Sequence, residues 1–254
     1  MDWSSLQTEL TLYRRYGKRV LDVAGAAAGL LLLAPLLLLV ALAVKCGPRG
    51  PVFFRQMRVG RGGKLFTIWK FRSMVAGADG LGPCITASDD QRITGIGKWL
   101  RRRKLDELPQ LWNVLKGDMS LVGPRPELPV YVRGYSNVQR QIFSVRPGIT
   151  DPATLRYRDE EEALTAASDR ELLYTERILP DKLRLNLEYI QLISLRFDLA
   201  IIFSTLRTIP RSLGPKTSIA EVHAQPASRR EREEASPRPQ NDLPADAVYS
   251  KERR

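Results

Sequence analysis

Residues 104–126 have the sequence KLDELPQLWNVLKGDMSLVGPRP. Its apolar side chains recur at spacings of three and four, which predicts one apolar face of a helix. Pro109 is tolerated near a helix start, where its missing N–H is not needed, and Gly117 suits a C-terminal end. The predicted apolar face consists of Leu105, Leu108, Leu111, Trp112 and Leu115.

Two adjacent carboxylates, Asp106 and Glu107, fall in or near the first turn of this helix, where the helix dipole favours negative charge. They follow a basic run at residues 101–104, and the turn at residues 123–126 returns one guanidinium, Arg125. Spacing alone leaves two interpretations open. Capping carboxylates beside solvated arginines are the more common arrangement, and a metal-assisted phosphate site is the alternative.

Four ordered motifs carry a resemblance to a known family. Residues 105–127, LDELPQLWNVLKGDMSLVGPRPE, resemble the signature of the bacterial sugar transferases, the monotopic phosphoglycosyl transferases. KRVLD precedes an apolar run, PVFFRQMRVGRGGKLFTIWKFRSM follows it, and RPGIT occupies residues 146–150. The resemblance extends over residues 16–209, and the short N-terminus resembles that of the compact members. It is specific for the family and leaves the sugar open.

The resemblance implies transfer of a sugar 1-phosphate from a nucleoside diphosphate sugar, usually a UDP-sugar, to a polyprenol phosphate such as undecaprenyl phosphate, with release of UMP. It implies that Asp106 is the nucleophile, forming an aspartyl-phosphosugar, and that Glu107 with Asp106 holds Mg²⁺. The expected substrate-binding residues are Arg101, Arg125, Lys70, Arg72 and Arg146. For Lys70, Arg72 and Arg146, structural pairing or lipid contact is an equal alternative.

Composition narrows the function classes. The chain has 254 residues, a hydrophobic content of 43% and a net charge of +12, which indicates a buried core and an anionic partner. Two cysteines, Cys46 and Cys84, exclude a disulfide framework or a zinc cluster. The single histidine, His223, lies in a polar tail, so acid–base chemistry falls to carboxylates.

Residues 23–44 run for 22 residues without a charge, which predicts a membrane helix. Pro35 interrupts this run, and both flanks are basic, so neither end is assigned to the outside. These features alone slightly favour a spanning helix. The family resemblance instead implies a re-entrant helix, broken at Pro35, that enters and leaves by the cytoplasmic face of the bacterial inner membrane. The usual Ser-Pro break is Ala34-Pro35 here.

The remaining chain predicts an α+β fold that is mostly helical. Residues 51–58 and 64–74 are β-prone and joined by a glycine-rich turn, which predicts a small hairpin. Residues 76–91 are predicted to form a loop, and residues 127–143, 160–178 and 195–209 are predicted to be helices. The last helix could belong to the core or lie on the bilayer, and the family resemblance favours an amphipathic helix near the membrane. Asp198 in that helix is expected to be structural. The expected segments are a basic N-terminus at 1–19, the membrane helix at 20–45, a catalytic domain at 46–210 and a disordered tail at 211–254.

Two other readings compete with a transferase. A membrane-anchored basic protein that binds nucleic acid or regulates a partner would explain the charge, but the sequence carries no recognisable nucleic-acid module. A scaffold with lost chemistry is opposed by the retained Asp106–Glu107 pair. We therefore expect a UDP-sugar, polyprenol phosphate and anionic lipids as partners, and no nucleic acid. Oligomeric state and pathway are not encoded in these motifs.

Overall fold

A computed structural model describes residues 12–208, apart from the side chain of Asp79. The predictions for residues 1–11 and for the tail at 211–254 lie outside the described residues, and the domain boundaries stay a prediction. The described chain is mostly helical with two small sheets, which confirms the coarse α+β prediction. The helices are α1 (Lys18–Lys45), α2 (Gly95–Arg102), α3 (Gln110–Lys116), α4 (Pro129–Val132), α5 (Pro152–Arg156), α6 (Glu160–Ala166), α7 (Arg170–Leu173), α8 (Leu179–Leu192) and α9 (Leu195–Thr208), and the strands are β1 (Phe53–Val59), β2 (Leu65–Phe71), β3 (Ser120–Val122) and β4 (Gly148–Thr150).

Helix α1 and the π-helical turn before it form one stretch, Tyr13–Lys45, that is long and apolar enough to cross a membrane. Pro35 lies inside α1, and the chain is helical on both sides of it. A proline removes one N–H donor and crowds the preceding turn, but its neighbours keep their own helical bonds. The re-entrant path with a break at Pro35 stays a prediction.

The first half of α1 is fastened to the segment after α3. The carboxylate of Asp22 is buried and accepts hydrogen bonds from Ser120 Oγ at 2.9 Å and from the Leu121 N–H at 2.8 Å. One turn later, Ala26 is fully buried in a cluster with residues of β2 and α3. A side chain at Gly25 would approach Leu121 to 2.6 Å, so glycine permits this close approach.

The second half of α1 packs on the β-hairpin and α2. Val40 and Val44 are buried in a cluster with Phe71 of β2 and Leu100 of α2. The guanidinium of Arg72 is buried and donates from Nη2 to the carbonyls of Val44, at 3.1 Å, and of the loop residue at position 48, at 2.6 Å. A cation therefore satisfies the carbonyl end of α1, where the helix dipole favours positive charge.

Strands β1 and β2 pair antiparallel, from Phe53 opposite Phe71 to Val59 opposite Leu65, which confirms the predicted hairpin. The connection uses glycines in the left-handed region, with φ of 67° at Gly62 and 74° at Gly63. Glycine adopts these angles without the steric cost that a Cβ would add. The sheet carries Lys70 on β2 toward the start of α3.

Helix α3 begins after Pro109 and ends at Gly117, whose φ is 92°, as predicted. Its buried face was predicted correctly at Leu111, which is buried in a core cluster, and at Leu115, which packs against that cluster, but not at Trp112. Gln110 and Asn113 are buried, whereas Trp112 is 52% exposed. The buried polar side chain of Asn113 accepts from the Trp69 N–H at 3.0 Å and donates to the Thr67 carbonyl at 2.7 Å, so it covers the free edge of β2.

Two predicted helices are shorter than expected. Residues 127–143 contain only α4 and a 3₁₀ segment, Gln139–Ser144, separated by turns. Residues 160–178 are divided by an interruption after α6, and the side chain of Asp169 then caps α7 by accepting from the Leu172 N–H at 2.9 Å. Short polar side chains compete with helical bonds and mark helix starts, which explains the division.

Strands β3 and β4 form a parallel pair that the sequence analysis did not predict. The pair brings the segment after α3 against the RPGIT segment. Gly123 and Gly148 permit this contact, because a Cβ on Gly148 would lie 2.1 Å from the backbone nitrogen of Gly123. This parallel pairing positions the chain that follows β3, which includes Arg125.

Candidate functional site

The site is built around Asp106, which lies in a 3₁₀ turn, Leu105–Glu107, between α2 and α3. Lys104 precedes this turn with a φ of 55°, and it is the only residue other than glycine with a positive φ in the part of the chain that the structure describes. A left-handed conformation at a side chain of this size costs about 1–2 kcal/mol. The turn redirects the chain so that both carboxylates point inward, where Asp106 is 5% and Glu107 is 8% exposed.

Glu107 is held by two cations. Its Oε1 accepts from Lys70 Nζ at 2.8 Å, and Arg125 donates to both carboxylate oxygens, with the Nη1–Oε2 distance at 3.1 Å. Burial acts to raise the pKa of Glu107, but Arg125 and Lys70 outweigh it and hold the pKa well below its usual range. Glu107 therefore stays charged. The pKa of Arg125 is raised, chiefly by the charge of Glu107, so both partners of the ion pair are charged.

Asp106 has the opposite environment. Burial and the neighbouring charge of Glu107 raise the pKa of Asp106, although Lys70, Arg101 and Lys104 act in the other direction. Its Oδ1 is buried and accepts no hydrogen bond from any described residue. A buried carboxylate oxygen without a hydrogen-bond partner, close to several cations, is a suitable nucleophile or metal ligand.

Arg101 reaches the site from α2 and is paired across it. Its guanidinium donates to both oxygens of Glu161, on α6, at 2.6 and 3.4 Å. Burial acts to lower the pKa of Arg101, but the charges of Glu161 and Asp106 raise it above its usual value. The first turn of α6 thus closes one side of the site over the arginine.

The position of Arg125 depends on the parallel pairing of β3 and β4. Its backbone N–H donates to Asp151 Oδ2 at 2.9 Å, and Asp151, which is fully buried, is the N-cap of α5. The side chain then turns back to Glu107. One carboxylate therefore fixes the backbone of Arg125 and a second fixes its guanidinium, so the cation is preorganised.

A sequence model of the family described as "Bacterial sugar transferase" matches residues 13–212, which is most of the chain. The chain belongs to the bacterial sugar transferase family. This confirms the resemblance carried by the four motifs. The match includes α1, the hairpin, the carboxylate pair and α9, so all the elements of the site lie within it.

Curated members of the bacterial sugar transferase family are similar over most of the chain. A "UDP-glucose:undecaprenyl-phosphate glucose-1-phosphate transferase" of Caulobacter vibrioides is 43% identical over 199 residues, covering 77% of this chain and 69% of that protein. An "Undecaprenyl-phosphate glucose phosphotransferase" of Komagataeibacter xylinus is 41% identical over 197 residues, covering 75% of this chain and 35% of that protein. A "UDP-N-acetylgalactosamine-undecaprenyl-phosphate N-acetylgalactosaminephosphotransferase" of Aeromonas hydrophila is 37% identical over 208 residues, covering 78% of this chain and 45% of that protein. The matched region is therefore less than half of the last two relatives.

Within this family site, the structure separates the predicted residues into two groups. Lys70, Arg101 and Arg125 surround the carboxylate pair, as the contacts above show. Arg72 and Arg146 are not brought to it. Arg72 binds the end of α1, and Arg146 donates from Nε to the Gly117 carbonyl at 2.8 Å, at the opposite end of α3. The structural alternative stated for these two arginines agrees with their contacts.

Asp198 lies in α9 and joins it to the start of the membrane helix. It is fully buried and accepts from the hydroxyl of Tyr13 at 2.5 Å, Lys18 Nζ at 2.6 Å and the hydroxyl of Tyr189 at 2.7 Å. These partners satisfy both oxygens. The contacts agree with the structural role expected for Asp198.

Sequence reasoning missed four polar residues that shape the site. Asp22 and Asn113 fix α1 and β2, and Glu161 holds Arg101. Gln110 is 1% exposed and lies one helical turn after Asp106. Asp22 and Gln110 could have been found from their positions in the quoted motifs, since Asp22 is the last residue of KRVLD and Gln110 follows DELP. Glu161 carried no such signal.

The carboxylates of the site could bind a magnesium ion only if substrate phosphates supplied further ligands. No group of three or more His, Cys, Asp or Glu side chains able to hold a metal occurs among residues 12–208. Mg²⁺ commonly takes one or two carboxylates and completes its shell with phosphates and water. The Asp106 carboxylate, which accepts no hydrogen bond at Oδ1 from the described residues, can supply such a ligand, whereas the oxygens of Glu107 are occupied by Lys70 and Arg125.

Proposed function

We propose that this chain transfers a sugar 1-phosphate from a UDP-sugar to undecaprenyl phosphate and releases UMP, as the first membrane step of polysaccharide or glycoconjugate synthesis. The observation that carries the proposal is the buried pair Asp106–Glu107, enclosed by Lys70, Arg101 and Arg125. The names of the relatives support this donor and acceptor. They specify different sugars, so the proposal leaves the sugar open.

The first step uses Asp106 as the nucleophile. A carboxylate oxygen of Asp106 forms a bond to the phosphorus that carries the sugar, and the bond from that phosphorus to the bridging oxygen of the diphosphate breaks. The electron pair leaves with that oxygen, and UMP departs. In the second step an oxygen of the polyprenol phosphate forms a bond to the same phosphorus, and the Asp106 carboxylate is the leaving group.

The cations around Asp106 and Glu107 stabilise the negative charge of the phosphate groups during both steps. Arg125 and Lys70 are already fixed by Glu107, so they meet a diphosphate without further ordering. Arg101 would exchange its contact with Glu161 for a phosphate oxygen. A Mg²⁺ ion at Asp106, and at Glu107 if it releases a cation, would neutralise part of the diphosphate charge.

We also propose that α1 stays at one face of the bacterial inner membrane, with the site on the cytoplasmic side. Both ends of α1 pack on the same polar domain, at Asp22 near the start and at Val44 near the end. These residues are about 33 Å apart along a straight helix, roughly the thickness of the hydrocarbon layer. A spanning helix would draw the domain, with its charged site, into the lipid. A re-entrant path, with the bend at Pro35, avoids that cost.

The opposite side of α1 supplies the lipid contact. Its large apolar side chains are exposed, and Leu31 and Leu32 are 77% and 80% exposed. Helix α9 adds Phe203 and Leu206, each 57% exposed, and Arg207 in its last turn. Apolar side chains flanked by arginine are typical of helices that lie in the headgroup region and contact anionic lipids.

The direct test is release of UMP from a panel of UDP-sugars by the purified membrane protein with Mg²⁺ and undecaprenyl phosphate. We expect one donor or a small set to give UMP, and we expect no UMP from the variant Asp106→Asn. Equal turnover by that variant would contradict the role of Asp106. Absence of UMP with every nucleotide sugar would favour the anchored binding protein considered above.

A further inference from the structure

Two buried polar groups at the site lack partners. Among residues 12–208, five buried side-chain polar atoms accept or donate no hydrogen bond, and two of them are Asp106 Oδ1 and Gln110 Nε2. Leaving a buried polar group unpaired costs about 1–3 kcal/mol. The two groups are complementary, because a carboxylate oxygen accepts and an amide nitrogen donates.

The two unpaired groups are close together in the chain, at the start of α3. Asp106 and Gln110 are four residues apart, and the two residues before α3 are helical, with φ and ψ of −55° and −35° at Leu108 and −60° and −16° at Pro109. The hydrogen bonds from the Leu108 N–H to Leu105 and from the Leu111 N–H to Leu108 are of the 3₁₀ type, so positions 106 and 110 lie about one turn apart. The glutamine side chain is long and flexible enough to cross one turn, so a rotation of it can bring the amide toward the carboxylate.

The neighbours of Gln110 show that the missing bond is local. Asn113, on the same buried face, has its amide bonded to both Thr67 and Trp69 of β2. Glu107, three residues earlier, is bonded to Lys70 of the same strand. Gln110 lies between these two contacts and is 1% exposed, yet its amide nitrogen has no partner in the described chain. A methionine or leucine would fill this position without that cost.

We propose that Gln110 is a positioning residue for the nucleophile, and this inference rests on the proposed function. The Gln110 Nε2 atom donates a hydrogen bond to Asp106 Oδ1 when the UDP-sugar is bound. This bond fixes the plane of the carboxylate, so that Oδ2 faces the phosphorus. After Oδ2 has formed the bond to phosphorus, Oδ1 is the carbonyl oxygen of the acyl phosphate, and the same amide continues to donate to it.

The experiment compares full-length wild type with Gln110→Met, Gln110→Glu and Leu115→Met, using the UDP-sugar that the panel identifies. Methionine and glutamate resemble glutamine in shape and remove the NH₂ donor. Leu115→Met is the control, because it is a volume-conserving change on the other side of α3. The measurements are the single-turnover rate of UMP release without acceptor, the steady-state kcat and KM, and the Tm.

We expect both Gln110 variants to lower the single-turnover rate and kcat by about tenfold or more, with KM for the donor within about twofold of wild type. The Tm of Gln110→Met should equal or exceed that of wild type, since an unpaired amide is removed. Leu115→Met should keep the wild-type rate. A wild-type rate in either Gln110 variant, or a loss of Tm in Gln110→Met, would overturn the proposal. Absence of UMP from the wild type would instead contradict the proposed function itself.

Discussion

The ion pair between Glu107 and Arg125 should stabilise the protein far more than an ion pair on the surface does. The test is a double-mutant cycle with Glu107→Met, Arg125→Met and the double variant. Glu107 is 10% exposed in its side chain and Arg125 31%, and the arginine donates to both carboxylate oxygens. Removing one partner leaves the other charge buried and unpaired.

The size of the effect follows from this geometry. Breaking a fully buried pair costs about 3–5 kcal/mol, and the partial exposure of Arg125 reduces the expected coupling energy to about 2 kcal/mol. For a chain of this size, that corresponds to a Tm shift of about 4–8 °C. Glu107→Met should cost more than Arg125→Met, because it leaves both Lys70 and Arg125 without their carboxylate.

The assay is thermal unfolding of the four proteins in one detergent at one salt concentration. A matched control is the exposed pair Arg184–Glu188, one helical turn apart on α8, whose side chains are 52% and 54% exposed at 2.6 Å. Its coupling should be about 0.3–0.5 kcal/mol. A coupling at Glu107–Arg125 no larger than that of the control would refute the preorganised ion pair.

Further predictions concern the contacts around the site. Asn113→Leu should lower stability by about 2–4 kcal/mol, because it leaves the Trp69 N–H and the Thr67 carbonyl unpaired, and an unchanged Tm would contradict the bonds described. Arg72→Met should speed hydrogen exchange at the end of α1 around Val44. The control Arg55→Met, which changes an exposed side chain stacked on Trp69, should leave that exchange unchanged. Equal exchange rates in the two variants would show that Arg72 does not anchor α1. Glu161→Gln should lower KM for the UDP-sugar several-fold, because Arg101 is then available to phosphate, and a raised KM would show that Glu161 instead orients Arg101 for binding.

Local chemistry made part of this structure predictable. Alternating β-prone residues around a glycine turn predicted the hairpin, and Pro109 and Gly117 predicted the ends of α3 correctly. The motifs placed Asp106, Glu107 and Arg125 in one short stretch, and the chain folds them into one site. These features depend on neighbours in sequence, so a single sequence contains the information for them.

Long-range polar contacts could not be predicted in the same way. The pattern of apolar residues placed Trp112 inside and left Gln110 and Asn113 unmentioned, because it assumes that polar side chains face water. In the structure, the Asn113 side chain forms hydrogen bonds with the backbone of Trp69 and Thr67 at the edge of β2. These residues lie 44 and 46 positions earlier in the chain. Arg101 and Glu161 are 60 residues apart, and their pairing depends on tertiary structure, since α6 is held by the loop at Ser88, whose N–H donates to the Glu161 carbonyl. Basic residues near a phosphate site therefore include some, such as Arg72, that serve the backbone instead.

The role of Asp106 as a covalent nucleophile can be tested by the mass of the intact protein after incubation with the UDP-sugar and Mg²⁺ in the absence of polyprenol phosphate. We expect about one equivalent of released UMP and a mass gain equal to one sugar phosphate. The gain should map to Asp106, be absent in Asp106→Asn, and disappear when undecaprenyl phosphate is added. UMP released only when the acceptor is present, with no gain in mass, would indicate direct transfer between the substrates and contradict the role of Asp106 as nucleophile.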